Sequence, residues 1–160
     1  MRAIVRSAGL FFVLAGFFVA LAAEDPHEAV MDVLSRMAAA LTGAVGANST
    51  GAGARTGNVA EFMSAVSKEM PEYDTLQSEI TALVRNAEVS SSITPLTEDV
   101  QADTYKIDLD WLLEIRSLEQ DGPMERRREV VHCELRKEKK HWKVVSLKPL
   151  GFFAAAKPGQ

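Results

Sequence analysis

Acidic side chains alternate with apolar ones along residues 104–118, and they are the first candidates for proton-transfer chemistry in this sequence. An enzyme that moves a proton needs an ionisable group facing its substrate and a donor for the developing negative charge. Asp108, Asp110 and Glu114 share the polar parity of the segment, so a strand would point them away from the core unless a bulge intervened. Asp110 is therefore expected to be a solvated surface carboxylate. An enzyme built on this chain would have to use Asp110 or Tyr105, and no catalytic residue is predicted.

The histidines and serines lack the spacing of a metal site or a nucleophile. His27, His132 and His141 are the only histidines, and they are predicted to lie at the surface, at a helix start, an outward strand position and a turn. A zinc site needs three or four converging ligands, and neither a cysteine pair nor a His-x-x-x-His motif is present. The serines at residues 90–92 have no Gly-x-Ser-x-Gly context. The sequence therefore predicts no metal, no cofactor and no serine nucleophile.

The composition is that of an ordinary globular domain. The chain has 160 residues, of which 47% are hydrophobic and 25% are charged, so one domain is expected. A single cysteine excludes a disulfide scaffold, and the normal apolar content excludes collagen-like, fully disordered and multi-span membrane proteins. Cys133 alternates with apolar residues and is predicted to be buried, with pairing between chains as the alternative.

The N-terminal segment has the pattern of a signal peptide, and residues 1–22 are assigned to it. Two arginines precede an uncharged apolar stretch at residues 10–21, which is shorter than the roughly 20 residues of a membrane-spanning helix. Small residues follow, so cleavage is expected after Ala22 or Ala23, and an uncleaved anchor is the alternative. The prediction is a secreted or periplasmic protein with no stable membrane span after cleavage.

The charge balance argues against nucleic acid as a partner. Residues 1–22 carry two arginines and no acid, so the mature chain has 16 basic and 22 acidic residues and a net charge of −6. A mildly acidic protein lacks the basic field that holds a phosphate backbone. The basic runs at residues 126–128 and 136–140 are interleaved with glutamates, and they predict a solvated, ion-paired sheet face.

Apolar periodicity predicts three helices followed by four strands, which is an α+β arrangement. Asp25 is the expected cap of the first helix and Pro26 its first residue. The predicted helices cover residues 25–42, 59–68 and 71–86, and the predicted strands cover residues 87–95, 104–118, 126–137 and 141–147. The domain as a whole is assigned to residues 24–153. Its parts are a first helix with a flexible Gly/Ala/Ser loop (23–57), the remainder of a single α+β barrel domain (58–153) and a disordered tail (154–160).

Two registers are open for the hairpin around Gly122. A two-residue turn would place Leu113 opposite Val130 and would bury His132. A three-residue turn centred on Gly122 instead pairs Leu113 with Val131 and buries only apolar groups, so the sequence favours it. The other pairs expected from that register are Trp111 with Cys133, Leu109 with Leu135, and an exposed ion pair between Asp108 and Arg136.

Three features of the chain resemble the nuclear transport factor 2-like superfamily, which includes SnoaL-like cyclases and ketosteroid isomerases. They are the helix–helix–helix–strand order, the L-x-W-x-L-x-I strand at residues 109–115 with the arginines of 126–128, and the ending at residues 135–153. The resemblance implies a cone-shaped α+β barrel. Its N-terminal helices would pack on a strongly curved antiparallel sheet, leave a pocket open at one end, and often allow dimerisation through the sheet. A fold of this kind does not by itself imply an activity.

The predicted interior of this barrel is almost wholly apolar, with no inward acid. Tyrosines, a tryptophan, leucines and the cysteine on the inward parity would line its pocket. The residues expected to line it are Tyr73, Tyr105, Leu109, Trp111, Leu113 and Cys133. Phe152 and Phe153 near the C-terminus could fold back and plug it.

The functional hypothesis is therefore an exported, non-catalytic domain that binds an apolar small molecule or a partner protein in or around the barrel. One alternative is a SnoaL-like isomerase, cyclase or dehydratase. The other is a module that forms a homodimer or a larger assembly through the outer sheet face, where Leu112, Val130 and His132 form a small semi-apolar patch.

Overall fold

Three helices precede a four-stranded antiparallel sheet in the computed structural model, which describes residues 25–42, 57–118 and 124–155. The helices are α1 (Pro26–Leu41), α2 (Val59–Ser64) and α3 (Tyr73–Asn86). The strands are β1 (Ala87–Gln101), β2 (Thr104–Ser117), β3 (Met124–Glu138) and β4 (His141–Lys148), in the sheet order β1-β2-β3-β4, followed by a short 3-10 helix at Leu150–Phe153. The sheet is curved and unclosed, and the predicted α+β fold is confirmed. The signal-peptide assignment, the loop at 43–56 and the tail beyond 155 lie outside the described residues.

The first helix begins as the sequence predicts. The side chain of Asp25 accepts a hydrogen bond from the backbone N–H of His27 at 3.0 Å, and Pro26 occupies the first helical position. Both features satisfy or remove N–H groups that have no partner inside the helix. One face of α1 is buried against the core, and its buried side chains are Val30, Val33, Leu34, Met37, Ala38, Ala40 and Leu41. No helix within the described ranges is long and apolar enough to cross a membrane.

The second helix ends at Ser64, four residues earlier than predicted. The backbone after it bonds to the sheet instead, since Val144 N–H donates to Ala65 O at 2.9 Å and Ser67 N–H donates to Val144 O at 2.8 Å. These bonds form an isolated parallel bridge between Val66 and Val144. The third helix starts at Tyr73 rather than Pro71, because residues 70–73 form a turn in which Tyr73 N–H donates to Met70 O.

The first strand is six residues longer than predicted and ends at Gln101 rather than at Pro95. Pro95 lies opposite Leu109 and Thr97 lies opposite Asp108, so a bulge directly after the proline leaves Leu96 without a partner in the register before pairing with β2 continues. Proline lacks the N–H needed for a central ladder, and an edge strand with a bulge accommodates it. The extension places Glu98 within the sheet.

The register of the β2–β3 hairpin differs from the predicted one by four residues. Leu109, rather than Leu113, lies opposite Val131. Because the shift is even, each side chain stays on its predicted face of the sheet. The other predicted pairs are likewise replaced: Ile107 lies opposite Cys133, and Tyr105 lies opposite Leu135. β2 ends at Ser117 and β3 begins at Met124, and the predicted three-residue turn lies outside the described residues.

Charges on the outer face account for this shift. The predicted register would place Asp110 opposite Glu134, a pair of like charges. The observed register places Glu114 opposite Arg126, with an N–O distance of 3.7 Å. Like charges directly opposite one another destabilise a sheet and opposite charges stabilise it. The apolar pattern alone could not distinguish the two registers.

The predicted ion pair between Asp108 and Arg136 is therefore wrong. Asp108 lies opposite His132, and Asp108 Oδ1 is 2.6 Å from His132 Nδ1. Arg136 lies opposite Thr104 instead. His132 is exposed and points outward, as the sequence predicts.

Candidate functional site

Five of the six residues predicted to line a pocket lie together in the core of the domain. Tyr105, Leu109, Trp111 and Leu113 are fully buried, and Cys133 is 3% exposed. Burial raises the pKa of the Cys133 thiol to about 12, so the side chain is an unreactive apolar group. The sixth residue, Tyr73, is half-buried and packs against the edge of the core. That these side chains line a ligand pocket stays a prediction.

The C-terminal phenylalanines fold back into the curved sheet, which is one of the possibilities that the sequence leaves open, and both are buried. The ring of Phe153 meets the edge of Trp111 at 5.1 Å between centroids and the ring of Phe62 at 5.9 Å. Phe152 lies 6.3 Å from Trp111. The indole N–H of Trp111 donates to Ser91 Oγ at 2.9 Å, so its polar atom is also satisfied. An apolar ligand could reach Trp111 from this side only by displacing these rings.

The arginine at the middle of the 126–128 run holds the returning segment in place. Arg127 Nη1 donates to the carbonyl of Phe152 at 3.1 Å and also to that of Ala154, and Nη2 donates to Glu125 at 3.1 Å. The prediction of a uniformly solvated basic run is wrong at this residue, whose side chain is only 17% exposed. The signal was present in the sequence, because Arg127 has the same strand parity as the buried Val131.

The outward acids of β2 are neutralised by basic side chains on β3. Asp110 accepts from Arg128 Nε at 2.9 Å, and this hydrogen bond lowers the pKa of the carboxyl group. Asp108 is bonded to His132, which likewise lowers its pKa, and it accepts from Thr97 Oγ1 at 2.8 Å. The prediction of Asp110 as a surface carboxylate is confirmed. It has no access to the buried face of the sheet.

The outer-face patch keeps some apolar exposure. Val130 is 42% exposed, and Leu112 is half-buried beside Arg128, the residue opposite it on β3. Pairing of two chains through this face stays a prediction.

A cluster of three polar side chains, which the sequence analysis did not find, links α1 to the far end of β1. The hydroxyl of Tyr105 donates to Glu98, and His27 Nδ1 lies 2.9 Å from Glu98 Oε2 and 3.2 Å from the Tyr105 hydroxyl. His27 is thus half-exposed but not a free surface histidine. Glu98 was missed because β1 was expected to end before it.

The electrostatics of this cluster limit what Tyr105 can do. Burial, and then the hydrogen bond to Glu98, raise the pKa of Tyr105 far above its usual value. The hydrogen bond from Tyr105, aided by His27, lowers the pKa of Glu98. The phenol therefore stays protonated, and its proton is committed to Glu98. It can neither act as a base nor donate freely to a substrate.

Glu98→Gln is expected to make the stability of the protein less dependent on pH in the acid range. A carboxyl group whose folded pKa is depressed contributes stability that is complete above its ordinary pKa of 4.5 and is lost as the pH falls through the lower folded value. We expect the melting temperature of the wild type to fall between pH 5 and pH 3 by a few degrees more than that of Glu98→Gln. The measurement is calorimetry across this range, with the exposed Glu129→Gln as control. Equal falls for wild type and Glu98→Gln would contradict the prediction.

A charged cleft of about 640 Å³ lies beside the cluster, between α1, α2 and the β3–β4 hairpin. Acidic side chains come from the helices and basic ones from the hairpin. Trp142 lies at the cleft, and its buried ring packs edge-on against Tyr105 at 6.0 Å between centroids. The ionisable residues that line the cleft are Glu28, Asp32, Arg36, Glu61, Lys140, His141 and Lys143. Three separate chain segments contribute these residues, which is why no sequence motif indicated the site.

Three of these side chains are already engaged within the protein. Asp32 is bonded to Arg36 at 3.0 Å along α1, and Lys143 Nζ donates to the carbonyl of Ser64. The Lys143 contact ties the hairpin to the end of α2. Among the residues that the structure describes, no group of three or more histidine, cysteine or acidic side chains is arranged to hold a metal ion.

Solved bacterial structures share this fold. A proposed aromatic ring hydroxylase from Novosphingobium aromaticivorans is 12% identical, with 78% of this chain and 89% of that chain covered and a TM-score of 0.60. A conserved protein from Planctomyces limnophilus is 8% identical, with coverage of 76% and 91% and a TM-score of 0.62. A proposed dehydratase of the nuclear transport factor 2-like family from Streptomyces avermitilis is 12% identical, with coverage of 76% and 92% and a TM-score of 0.58.

The chain therefore has the nuclear transport factor 2-like fold, as its sequence resemblance implied. Identities this low bear on the fold alone, so activity has to be argued from the side chains of this chain. No protein-family model matches the sequence, and no curated protein matches it.

Proposed function

We propose that this chain is an exported, non-catalytic binding domain that takes its ligand in the charged cleft rather than inside the curved sheet. The observation that carries the proposal is the filled interior. Phe153 is fully buried against Trp111, and Arg127 holds the segment that delivers it. A ligand could enter the curved sheet only by displacing these core side chains, so we place the binding site outside the sheet interior.

The state of the two residues an enzyme would use supports a non-catalytic role. Asp110 faces outward and is bonded to Arg128, while the hydroxyl proton of Tyr105 is held by Glu98. Proton-transfer catalysis needs a group within hydrogen-bond reach of the substrate and with a pKa near the working pH. Neither residue meets both conditions.

The unpaired charges of the cleft support its role as the binding site. The side chains of Glu28, Glu61, Lys140 and His141 all line it, and none has a hydrogen-bond or ion-pair partner in the described part of the chain. Its volume of about 640 Å³ lies within the roughly 300–1,000 Å³ of small-ligand pockets. A ligand of complementary charge would replace bound water here and would break no hydrogen bond or ion pair that these side chains make within the described part of the chain.

Filling the cleft tests the proposal. Ala65 lines the cleft beside Ser64, so Ala65→Trp is expected to abolish binding of charged probes while the fold persists. The probes are trialanine, succinate and 1,4-diaminobutane, followed by saturation-transfer NMR. Ala60→Trp is the matched control, because Ala60 is exposed on α2, the helix that Ala65 follows, and does not line this cleft. The protein is purified after export, and N-terminal sequencing is expected to read from Ala23 or Glu24.

Two outcomes would contradict the proposal. If none of the three probes binds the wild type, or if Ala65→Trp binds them as well as Ala60→Trp does, the cleft is not the binding site. An exported chain that still begins at Met1 would contradict the predicted cleavage.

A further inference from the structure

The charged cleft has an acidic wall on the helices and a basic wall on the hairpin, and the unpaired side chains of the two walls form no ion pair with each other. Glu28 on α1 and Glu61 on α2 form the acidic wall, and Lys140 and His141 at the β3–β4 hairpin form the basic wall. No ion pair within 4.0 Å joins these side chains to each other or to any other residue that the structure describes. Opposite charges therefore line the same cleft on different elements without forming a direct ion pair.

The engaged residues of the cleft leave this division intact. The charge of Asp32 is offset by Arg36 on the same helix, so it adds little to the acidic wall. Lys143 keeps its positive charge although it donates to a carbonyl, so it adds to the basic side. A ligand with a single charge would be attracted by one wall and repelled by the other. A ligand with both charges, one at each end, would be attracted by both walls.

From this geometry we infer that the ligand is a short peptide with free amino and carboxyl ends, an inference that rests on the cleft being the binding site. The cleft volume of about 640 Å³ leaves room for a ligand larger than a single amino acid. Each added residue lengthens an extended chain by roughly 3.3–3.6 Å, so a dipeptide or tripeptide can reach both walls. The ammonium end would lie at Glu28 and Glu61, and the carboxylate end at Lys140.

The remaining lining of the cleft suits the middle of such a ligand. Ala29, Val33 and Ala65 line it beside Trp142. These apolar groups can contact small side chains of a peptide but cannot hold additional charge. We therefore expect peptides with small apolar side chains to bind better than those with charged ones.

The test is a calorimetric titration of the mature full chain with trialanine and with two blocked forms, N-acetyl-trialanine and trialanine amide. Each block removes one charge of the ligand without changing the protein. Free trialanine is expected to bind about tenfold more tightly than either blocked form, the usual effect of one charge-assisted hydrogen bond. This comparison does not depend on whether any variant folds.

Charge-removing variants then assign each end of the peptide to a wall. Glu61→Gln is expected to weaken binding of free trialanine about tenfold and to leave the affinity for N-acetyl-trialanine unchanged. Lys140→Gln is expected to weaken binding of free trialanine about tenfold and to leave the affinity for trialanine amide unchanged. Glu72→Gln and Lys106→Gln are the matched controls, because both residues lie outside the cleft.

Other results would overturn the inference and separate it from the proposed function. Equal affinity for free and blocked trialanine would show that the acidic and basic walls do not bind the charged ends of the peptide. Equal effects of Glu61→Gln on the free and acetylated forms would show the same for the ammonium end. Cleft binding of succinate or 1,4-diaminobutane without trialanine would overturn the peptide ligand and leave the binding site standing. Failure of every probe would overturn both.

Discussion

Phe153→Ala is expected to lower the free energy of unfolding by about 3–5 kcal/mol, the usual cost of truncating a buried aromatic side chain. Phe153 is fully buried, and its ring contacts Trp111, Phe62 and Phe152. The cavity left behind is bounded by Trp111 on β2 and Phe62 on α2, which belong to other elements, so it can collapse only in part. Urea denaturation followed by tryptophan fluorescence measures the loss.

The control for this variant is an exposed apolar residue. Leu96 is 52% exposed, so Leu96→Ala is expected to change the stability by less than about 0.5 kcal/mol. A loss below about 1 kcal/mol for Phe153→Ala would contradict the prediction and would mean that the C-terminal segment does not pack as described.

The same variant tests the interior as a latent apolar site. An engineered apolar cavity stays dry and binds small aromatic molecules. Benzene is therefore expected to stabilise Phe153→Ala and to leave the wild type unchanged. Stabilisation of the wild type by benzene would instead favour the hypothesis of an apolar ligand inside the sheet, next to Trp111.

Gly57→Ala is expected to destabilise the fold by about 1–3 kcal/mol, as overpacking of a close contact does. A Cβ at this position would lie 2.7 Å from Val84 Cγ1 and 2.8 Å from the carbonyl oxygen of Leu41. The backbone cannot move away easily, because the next N–H, that of Asn58, donates to the carbonyl of Ala40 at 2.7 Å. Thermal denaturation of the variant measures the effect.

Gly151→Ala is the matched control, since a Cβ there meets no atom within 4 Å. We expect its melting temperature to equal that of the wild type. If both glycine variants melt at the same temperature as the wild type, the close approach of Gly57 to the end of α1 is not present in solution.

The faces of the sheet could be predicted from the sequence because strand parity depends on neighbouring residues alone. Tyr105, Trp111 and Cys133 were all placed on the buried face by alternation, and all are buried. Register depends on pairs of residues far apart in the chain. The apolar pattern repeats every two residues, so it permits any even shift, and outer-face charges such as Glu114 and Arg126 decide among them.

The polar features were harder to predict, since each joins distant segments. Glu98 meets His27 across 71 positions of the chain and only because β1 continues through a bulge. Arg127 stands in the sequence within one basic run beside exposed arginines, although its strand parity points inward. The cleft is lined by residues from two helices and a hairpin. Its acidic and basic side chains do not pair with each other, and the order of residues along the chain does not predict this.

The bridge between Val66 and Val144 has a consequence for association between molecules. β4 is an edge of the sheet, and an uncovered edge can recruit an extended segment from another chain. Here the backbone at Ala65 and Ser67 already occupies the N–H and C=O groups of Val144. The short segment after α2 thus covers the edge of β4 at Val144. A strand from another chain could pair with β4 at Val144 only after these hydrogen bonds had broken. The segment therefore protects this part of the edge against edge-to-edge aggregation.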